Sequence, residues 1–123
     1  MIRHIVLFKL KPGVTRADPR LAAAEEMARQ VGEEVGCLRE WYAAPNISTR
    51  SVAYDFVVIG LVEDEPALEA YLTDPFHLRA IERWREISDW VVVDALEEPA
   101  GDGAPGTAPL TLGVPSRAGQ VPV

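Results

Sequence analysis

The sequence predicts an α+β domain in residues 1–98, with its elements in the order β-α-β-β-α-β. Three observations lead to this expectation. Four segments are rich in β-branched and aromatic residues, the segments between them carry apolar residues at helical spacing, and the pairs Asp18-Pro19 and Asp74-Pro75 mark helix starts. This order is typical of the ferredoxin-like fold, in which helices cover one face of a four-stranded antiparallel sheet.

The first strand and the first helix follow from the opening third of the chain. The strand is predicted over residues 2–10 and ends at Lys11-Pro12-Gly13, because proline and glycine interrupt strands. Asp18 is then a helix N-cap with Pro19 at the first helical position. Apolar residues at three- and four-residue spacing predict the buried side of this helix: Leu21, Ala24, Ala28, Val31 and Val35. Polar residues predict the side of this helix that faces solvent: Arg20, Glu25, Glu26, Arg29 and Glu33. Gly36 predicts the end of the helix.

The remaining elements are two strands, a helix broken by a proline, and a final strand. Asp64 caps the first part of the broken helix. Pro75 disfavours helical dihedral angles at Asp74, which therefore caps the second part. The predicted bounds are about Cys37–Ala44 for the second strand, Val52–Val62 for the third, Phe76 to about Ser88 for the second helical part, and Trp90–Leu96 for the fourth strand.

The composition limits the classes of partner and compartment. The net charge is −7 without a basic cluster, so binding to nucleic acid or to an anionic membrane is not expected. The chain has one cysteine, no signal-peptide pattern and no apolar stretch of membrane-spanning length, which together predict a cytoplasmic protein. Residues 99–123 contain five prolines and five glycines, a composition typical of a disordered tail.

Both faces of the predicted sheet are apolar. The first strand carries two sets of apolar side chains: Ile2, His4, Val6, Phe8 and Leu10 on one face, with the histidine among them, and Ile5 and Leu7 on the other. The third strand is also apolar on its second face, through Val57, Ile59 and Leu61. Helices can cover only one face, so we expect a second copy of the sheet to cover the other. The sequence therefore predicts a homodimer packed sheet to sheet.

Several segments of the chain match the pattern of a known family. They are the opening Met-Ile-Arg-His-Ile-Val-Leu-Phe-Lys-Leu-Lys-Pro-Gly, then Tyr54-Asp55-Phe56, Leu68-Glu69-Ala70-Tyr71-Leu72-Thr73-Asp74-Pro75-Phe76-His77 and Val91-Val92-Val93-Asp94. Over about residues 1–97 the sequence resembles the stress-responsive dimeric α/β-barrel (Dabb) family. The resemblance implies a ferredoxin-like protomer whose sheet associates with a second sheet to form a dimeric α/β barrel.

The resemblance also implies site residues. The chain is similar to the plant polyketide cyclase that forms olivetolic acid, which closes a linear thioester by aldol chemistry with a tyrosine and a histidine. These two residues fall on Tyr71 and His77, and a further histidine falls on His4. The implied roles are general base for His77 and oxyanion donor for Tyr71. The family motif often reads His-Pro-x-His, and Asp74 replaces the first histidine here, so neither a metal site nor another cofactor is expected.

The same residues also allow structural interpretations. His77 fits the edge of an apolar core with its ring bonded to the backbone, and Tyr71 fits simple core packing. Asp94 is interpreted as bonding a loop or lying at a strand edge. The residues predicted to bind substrate are His4, Phe8 and Trp84, although His4 also fits a buried histidine with satisfied hydrogen bonds.

Three functions remain open at this point, and whether the protein is an enzyme is open with them. The first is a stress-responsive homodimer with a pocket for a hydrophobic small molecule between sheet and helices. The second is a cofactor-free, polyketide cyclase-like enzyme with His77 and Tyr71 in the roles given above. The third, by analogy with other dimeric barrels, is a cofactor-independent monooxygenase or a haem-binding relative.

Overall fold

The computed structural model describes residues 1–98, and the tail predicted at 99–123 lies outside the described residues. The elements are β1 (Ile2–Leu10), α1 (Pro19–Glu34), β2 (Glu40–Pro45), β3 (Phe56–Val62), α2 (Glu65–Thr73), α3 (Pro75–Ile87) and β4 (Ser88–Leu96). The strands form one antiparallel sheet in the order β2-β3-β1-β4. This arrangement confirms the predicted ferredoxin-like fold. No helix within residues 1–98 has the length and apolar character needed to cross a bilayer.

Aspartate side chains begin all three helices, as predicted. The carboxylate of Asp18 accepts a hydrogen bond from the backbone N–H of Arg20, and that of Asp64 from the N–H of Ala67. Asp74 accepts from the N–H of Phe76 at 2.8 Å. Each cap satisfies a backbone donor that would otherwise lack a partner and contributes about 1 kcal/mol. The Asp74 cap therefore holds the first turn of α3.

The predicted strand bounds need correction on three strands. The third strand begins at Phe56 rather than Val52, and the second begins at Glu40 rather than Cys37. Residues 52–55 belong to the loop rather than to the strand, since a turn bonds the Ala53 N–H to the Arg50 carbonyl oxygen at 3.1 Å. The fourth strand begins earlier than predicted, at Ser88, directly after α3.

Two predictions for α1 were also wrong. The helix ends at the C-cap Val35 with extended dihedral angles, and Gly36 does not adopt the left-handed conformation expected of a helix-ending glycine. Glu25 is buried rather than exposed. Its carboxylate accepts a hydrogen bond from the Arg16 guanidinium at 3.0 Å, so the buried negative charge of Glu25 has a positively charged partner.

The helices cover one face of the sheet, and the core lies between the helices and the sheet. The side of α1 predicted to be buried is buried at every position, as is the helix-facing side of β1 from Ile2 to Phe8. The largest core cluster contains Val6, Phe8, Leu21, Phe56, Val58, Trp84 and Ile87. β4 lies at the sheet edge, where most of its side chains remain exposed within one protomer.

The opposite face of the sheet has no helix over it, and we call it the outer sheet face. The strand register aligns two rows of apolar side chains there: Tyr42, Ile59, Ile5 and Val93 in one row, and Ala44, Val57, Leu7 and Val91 in the other. In one protomer Leu7 is 37% exposed and Val93 is 57% exposed. A contiguous apolar surface of this kind is typical of a protein interaction surface.

Trp41 fills a slot between α1 and β3 that two glycines leave open. Its indole Nε1 donates to the Ala28 carbonyl oxygen at 2.8 Å. A Cβ atom on Gly32 would lie 2.6 Å from Trp41 Cδ1, and one on Gly60 would lie 3.1 Å from Trp41 Cε3. The side chain can therefore occupy this slot only because these positions lack a Cβ atom.

We expect Gly32→Ala to destabilise the domain although alanine favours helix. Overpacking against Trp41 costs about 1–3 kcal/mol, which exceeds the helix gain of about 0.5–1 kcal/mol. Urea unfolding measures the change in the free energy of unfolding. Gly36→Ala is the matched control, because a Cβ atom there meets no atom within 4 Å. A Gly32→Ala protein as stable as the parent would contradict the clash.

Candidate functional site

A cavity of about 100 Å³ lies between the helices and the helix-facing side of the sheet. Most of its wall is apolar, including Val6, Phe8, Ala80, Trp84, Trp90 and Val92. Three side chains with polar tips also line it: His4 from β1, Tyr71 from α2 and His77 from α3. The cavity therefore has the composition usual for a small-molecule site, an apolar wall with a few convergent polar groups.

The three polar side chains form one cluster around Tyr71. The ring centroids of Tyr71 and His77 are 4.0 Å apart, and those of Tyr71 and His4 are 4.9 Å apart. All three side chains are buried. The break between α2 and α3 creates this cluster, because Tyr71 lies in the last turn of one helix and His77 in the first turn of the next.

The environment of His77 defines its protonation. Its Nδ1 donates to the Leu72 carbonyl oxygen at 3.4 Å, and since a carbonyl can only accept, Nδ1 carries the proton of the neutral ring. Burial lowers the pKa of His77 below its ordinary value of 6.5, and the neighbouring His4 lowers it further. The Leu72 bond and Asp74 act in the opposite direction. His77 is therefore a neutral imidazole near pH 7, with Nε2 available as a base.

His4 is paired with a carboxylate that the sequence interpretation had placed in a structural role. His4 Nδ1 lies 2.5 Å from Asp94 Oδ1. Because the carboxylate accepts, this contact places the ring proton on Nδ1 and leaves Nε2 as the second site for proton exchange. The antiparallel register of β1 and β4 places His4 directly opposite Asp94. That strand pairing is the signal that could have revealed the contact.

The Tyr71 hydroxyl forms no hydrogen bond to any residue within 1–98. Burial raises the pKa of Tyr71, and the nearby Asp94 and Cys37 raise it further. The phenol is therefore protonated at all physiological pH values and can donate a hydrogen bond. The hydroxyl is not fully buried, in contrast to Trp84 Nε1, so it is open to the cavity and available to a ligand.

The other predicted substrate-binding residues line the same cavity. Trp84 is 2% exposed, and its ring stacks on Phe8 with centroids 4.3 Å apart. Both side chains also belong to the core, so they support the cavity wall as well as facing it. Trp84 Nε1 has no hydrogen-bond partner within residues 1–98. The same part of the chain holds no group of three or more residues able to ligate a metal ion.

His77 makes the stability of the domain depend on pH. Its pKa is lower in the folded protein than the ordinary value of 6.5 that applies to the unfolded chain. The unfolded state therefore binds more protons between these two values, and stability is lost as pH falls through this window. We expect His77→Gln to lose less stability than the parent between about pH 8 and about pH 5 in urea unfolding.

The neighbouring titratable groups make this comparison specific. His4, Asp74 and Tyr71 are present in both proteins, so the difference in pH dependence reports on the His77 ring. Equal loss of stability in the two proteins would show that the pKa of His77 is not lowered by folding.

Comparisons with known proteins identify the family of this chain. Its sequence is 47% identical to the uncharacterized protein SCO4036 of Streptomyces coelicolor over 94 residues, which cover 76% of this chain and 97% of that protein. A dimeric ferredoxin-like protein of unknown function from Thermobifida fusca superposes with a TM-score of 0.70 and 23% identity, over 78% of this chain and 90% of that one. A dimeric protein with a ferredoxin-like fold from Bacteroides fragilis gives a TM-score of 0.69 and 20% identity, over 78% and 95% of the two chains.

These structures support the fold, and the family follows from the sequence. The sequence pattern of the stress responsive A/B barrel domain matches residues 2–96, nearly the whole of the described part. The protein therefore belongs to the stress responsive A/B barrel domain (Dabb) family.

Proposed function

We propose that the protein is a homodimer that binds a small, largely apolar carbonyl compound in the cavity around Tyr71. One observation carries this proposal: the side chains of His4, Tyr71 and His77 line an apolar cavity, and within residues 1–98 the Tyr71 hydroxyl and the Nε2 atoms of the two histidines have no hydrogen-bond partner. A ligand oxygen can accept a hydrogen bond from the Tyr71 hydroxyl, whereas a purely apolar ligand cannot.

The cavity volume favours a small ligand. Sites for drug-sized molecules occupy roughly 300–1,000 Å³, whereas this cavity has about 100 Å³. A linear polyketide chain or a haem ring exceeds that space. Short β-dicarbonyl compounds fit it and present both an oxygen acceptor and an acidic CH₂ group.

A second candidate function is cofactor-free proton transfer on such a ligand. The observation that favours it is the contact between Tyr71 and His77, with the pKa of His77 lowered and Nδ1 bonded to Leu72. A neutral imidazole can remove a proton from a CH₂ group next to a carbonyl. The Tyr71 hydroxyl can then donate to the oxygen on which negative charge develops.

The outer sheet face supports the homodimer. Its two apolar rows remain exposed in one protomer, and a second copy of the same face buries them symmetrically. The Thermobifida and Bacteroides proteins that share the fold are both dimeric. Sedimentation equilibrium at micromolar concentration tests this part, and a monomer would contradict it.

Measurements of ligand binding test whether the cavity is the binding site. Saturable binding of acetylacetone, benzoylacetone and dibenzoylmethane is measured by calorimetry, and we expect affinity to fall as the compounds become larger. Ala80→Leu fills the cavity and should abolish binding, because Ala80 is 4% exposed and lines the wall. Ala70→Leu is the matched control on the exposed side of α2. Binding that survives Ala80→Leu in a folded protein would place the ligand elsewhere.

A further inference from the structure

We propose that His4, held by Asp94, is a second proton-transfer group of this site, so that the site catalyses keto–enol tautomerisation of small β-dicarbonyl compounds. This inference rests on the proposed cavity function and deepens it by naming the reaction and a second histidine. His77 is the only base that the resemblance to the polyketide cyclase implies. His4, whose ring Asp94 holds through Nδ1, lines the same cavity from the sheet side.

The contact between His4 and Asp94 has the geometry of a strong, charge-assisted hydrogen bond. The Nδ1–Oδ1 distance is 2.5 Å, and the two residues are directly opposed in adjacent strands. The His4 side chain is 4% exposed, whereas that of Asp94 is 36% exposed. The carboxylate therefore keeps contact with water on one side while its other side fixes a buried ring. Asp94 is a positioning residue, since it acts on a ligand only through His4.

The two rings have different partners and different proposed roles. His77 Nδ1 faces a neutral backbone carbonyl of Leu72, whereas His4 Nδ1 faces a carboxylate. The carboxylate fixes the His4 ring with Nδ1 as the donor, and the Leu72 carbonyl fixes the His77 ring in the same way. The lowered pKa of His77 keeps its Nε2 unprotonated and suited to remove the substrate proton, and delivery of a proton is assigned to His4 Nε2. Tyr71 contacts both rings and lies where the ligand oxygen is expected.

The proposed reaction needs only proton movement. His77 Nε2 removes a proton from the central carbon of the dicarbonyl, the C–H electron pair becomes a C=C bond, and the electrons of one C=O bond move to its oxygen. Tyr71 donates a hydrogen bond to that oxygen, and His4 protonated at Nε2 transfers its proton to it. The product is the enol, an isomer of the substrate. Proton exchange of both rings with water restores the starting state, and no oxidant or reductant takes part.

Deuterium exchange at the central carbon of acetylacetone tests the proposal. The reverse reaction in D₂O places deuterium on that carbon, and proton NMR follows the loss of its signal with full-length protein present. We expect Asp94→Asn and His4→Gln each to lower the protein-catalysed exchange rate about a hundredfold or more, while acetylacetone binding is retained. The double variant should lose little beyond either single one, because the two residues act as a unit.

Controls separate this inference from the function on which it rests. Asp89→Asn removes the same charge from an exposed position of the same strand and should leave the exchange rate unchanged. An exchange rate in Asp94→Asn within about twofold of the parent would overturn the role of the pair. Binding of acetylacetone by the parent without any catalysed exchange would overturn the tautomerase reaction and leave the binding function standing. Nitrogen NMR of His4 gives an independent measure of the contact itself, since loss of the carboxylate in Asp94→Asn should change the chemical shift of His4 Nδ1, whereas Asp89→Asn should leave it unchanged.

Discussion

Leu7→Asp is expected to convert the dimer to a monomer while leaving the protomer folded. Leu7 lies on the central strand β1 in the middle of the outer sheet face and is 37% exposed in one protomer. A dimer with twofold symmetry contains every substituted position twice. An unpaired charge in a buried interface costs about 3–5 kcal/mol, so the dissociation constant should rise by at least roughly a hundredfold.

Sedimentation equilibrium measures this change. Leu78→Asp is the matched control, because it introduces the same charge at an exposed leucine on α3, on the helical side of the protomer. Circular dichroism shows whether each protomer remains folded. A Leu7→Asp protein that sediments as the same dimer as the parent would mean that the outer sheet face is not the interface.

Trp84→Ala is expected to lower the free energy of unfolding by about 3–5 kcal/mol, because burial of a large aromatic side chain is lost and a cavity remains. Trp84 is 2% exposed and packs against Phe8 and Phe56, with ring centroids 4.3 and 4.9 Å from its own. The expected loss is a large part of the roughly 5–15 kcal/mol by which a domain of this kind is stable. Urea unfolding measures it.

Trp84→Phe separates the contribution of ring packing to stability from that of the indole N–H. The indole Nε1 of Trp84 has no partner within residues 1–98, so its removal relieves an unsatisfied donor. We therefore expect Trp84→Phe to cost much less than Trp84→Ala in urea unfolding. If the two variants were equally destabilised, the indole N–H would have to make an interaction that the structure does not contain.

Much of the fold could be predicted because its signals are local. Asp18, Asp64 and Asp74 are helix caps in the structure as in the sequence interpretation, since a cap depends only on the next few residues. The period of the apolar residues predicted the buried side of α1 in the same way. The start of β3 was predicted too early, because Val52 and Tyr54 favour strand by residue type, whereas a turn in the structure bonds the Ala53 N–H to the Arg50 carbonyl oxygen.

The contact between His4 and Asp94 could not be read in the same way. The two residues are 90 positions apart, and their contact depends on the register between β1 and β4. A register is a property of the assembled sheet, and a shift of one residue would move Asp94 to the other face. Glu25 is a similar case, since its burial depends on Arg16 from the preceding loop. Tyr71 and His77 could be paired in advance through the family resemblance, and in the structure the helix break between them brings the two rings together.

The central claim is that the cavity around Tyr71 is a binding site for a small carbonyl compound. Intermolecular nuclear Overhauser effects between the methyl protons of acetylacetone and the protein test it most directly. The account predicts effects to ring protons of Tyr71, His77 and Trp84, and their disappearance in Ala80→Leu. Effects confined to side chains of the outer sheet face, or none at a ligand concentration that saturates binding, would contradict it.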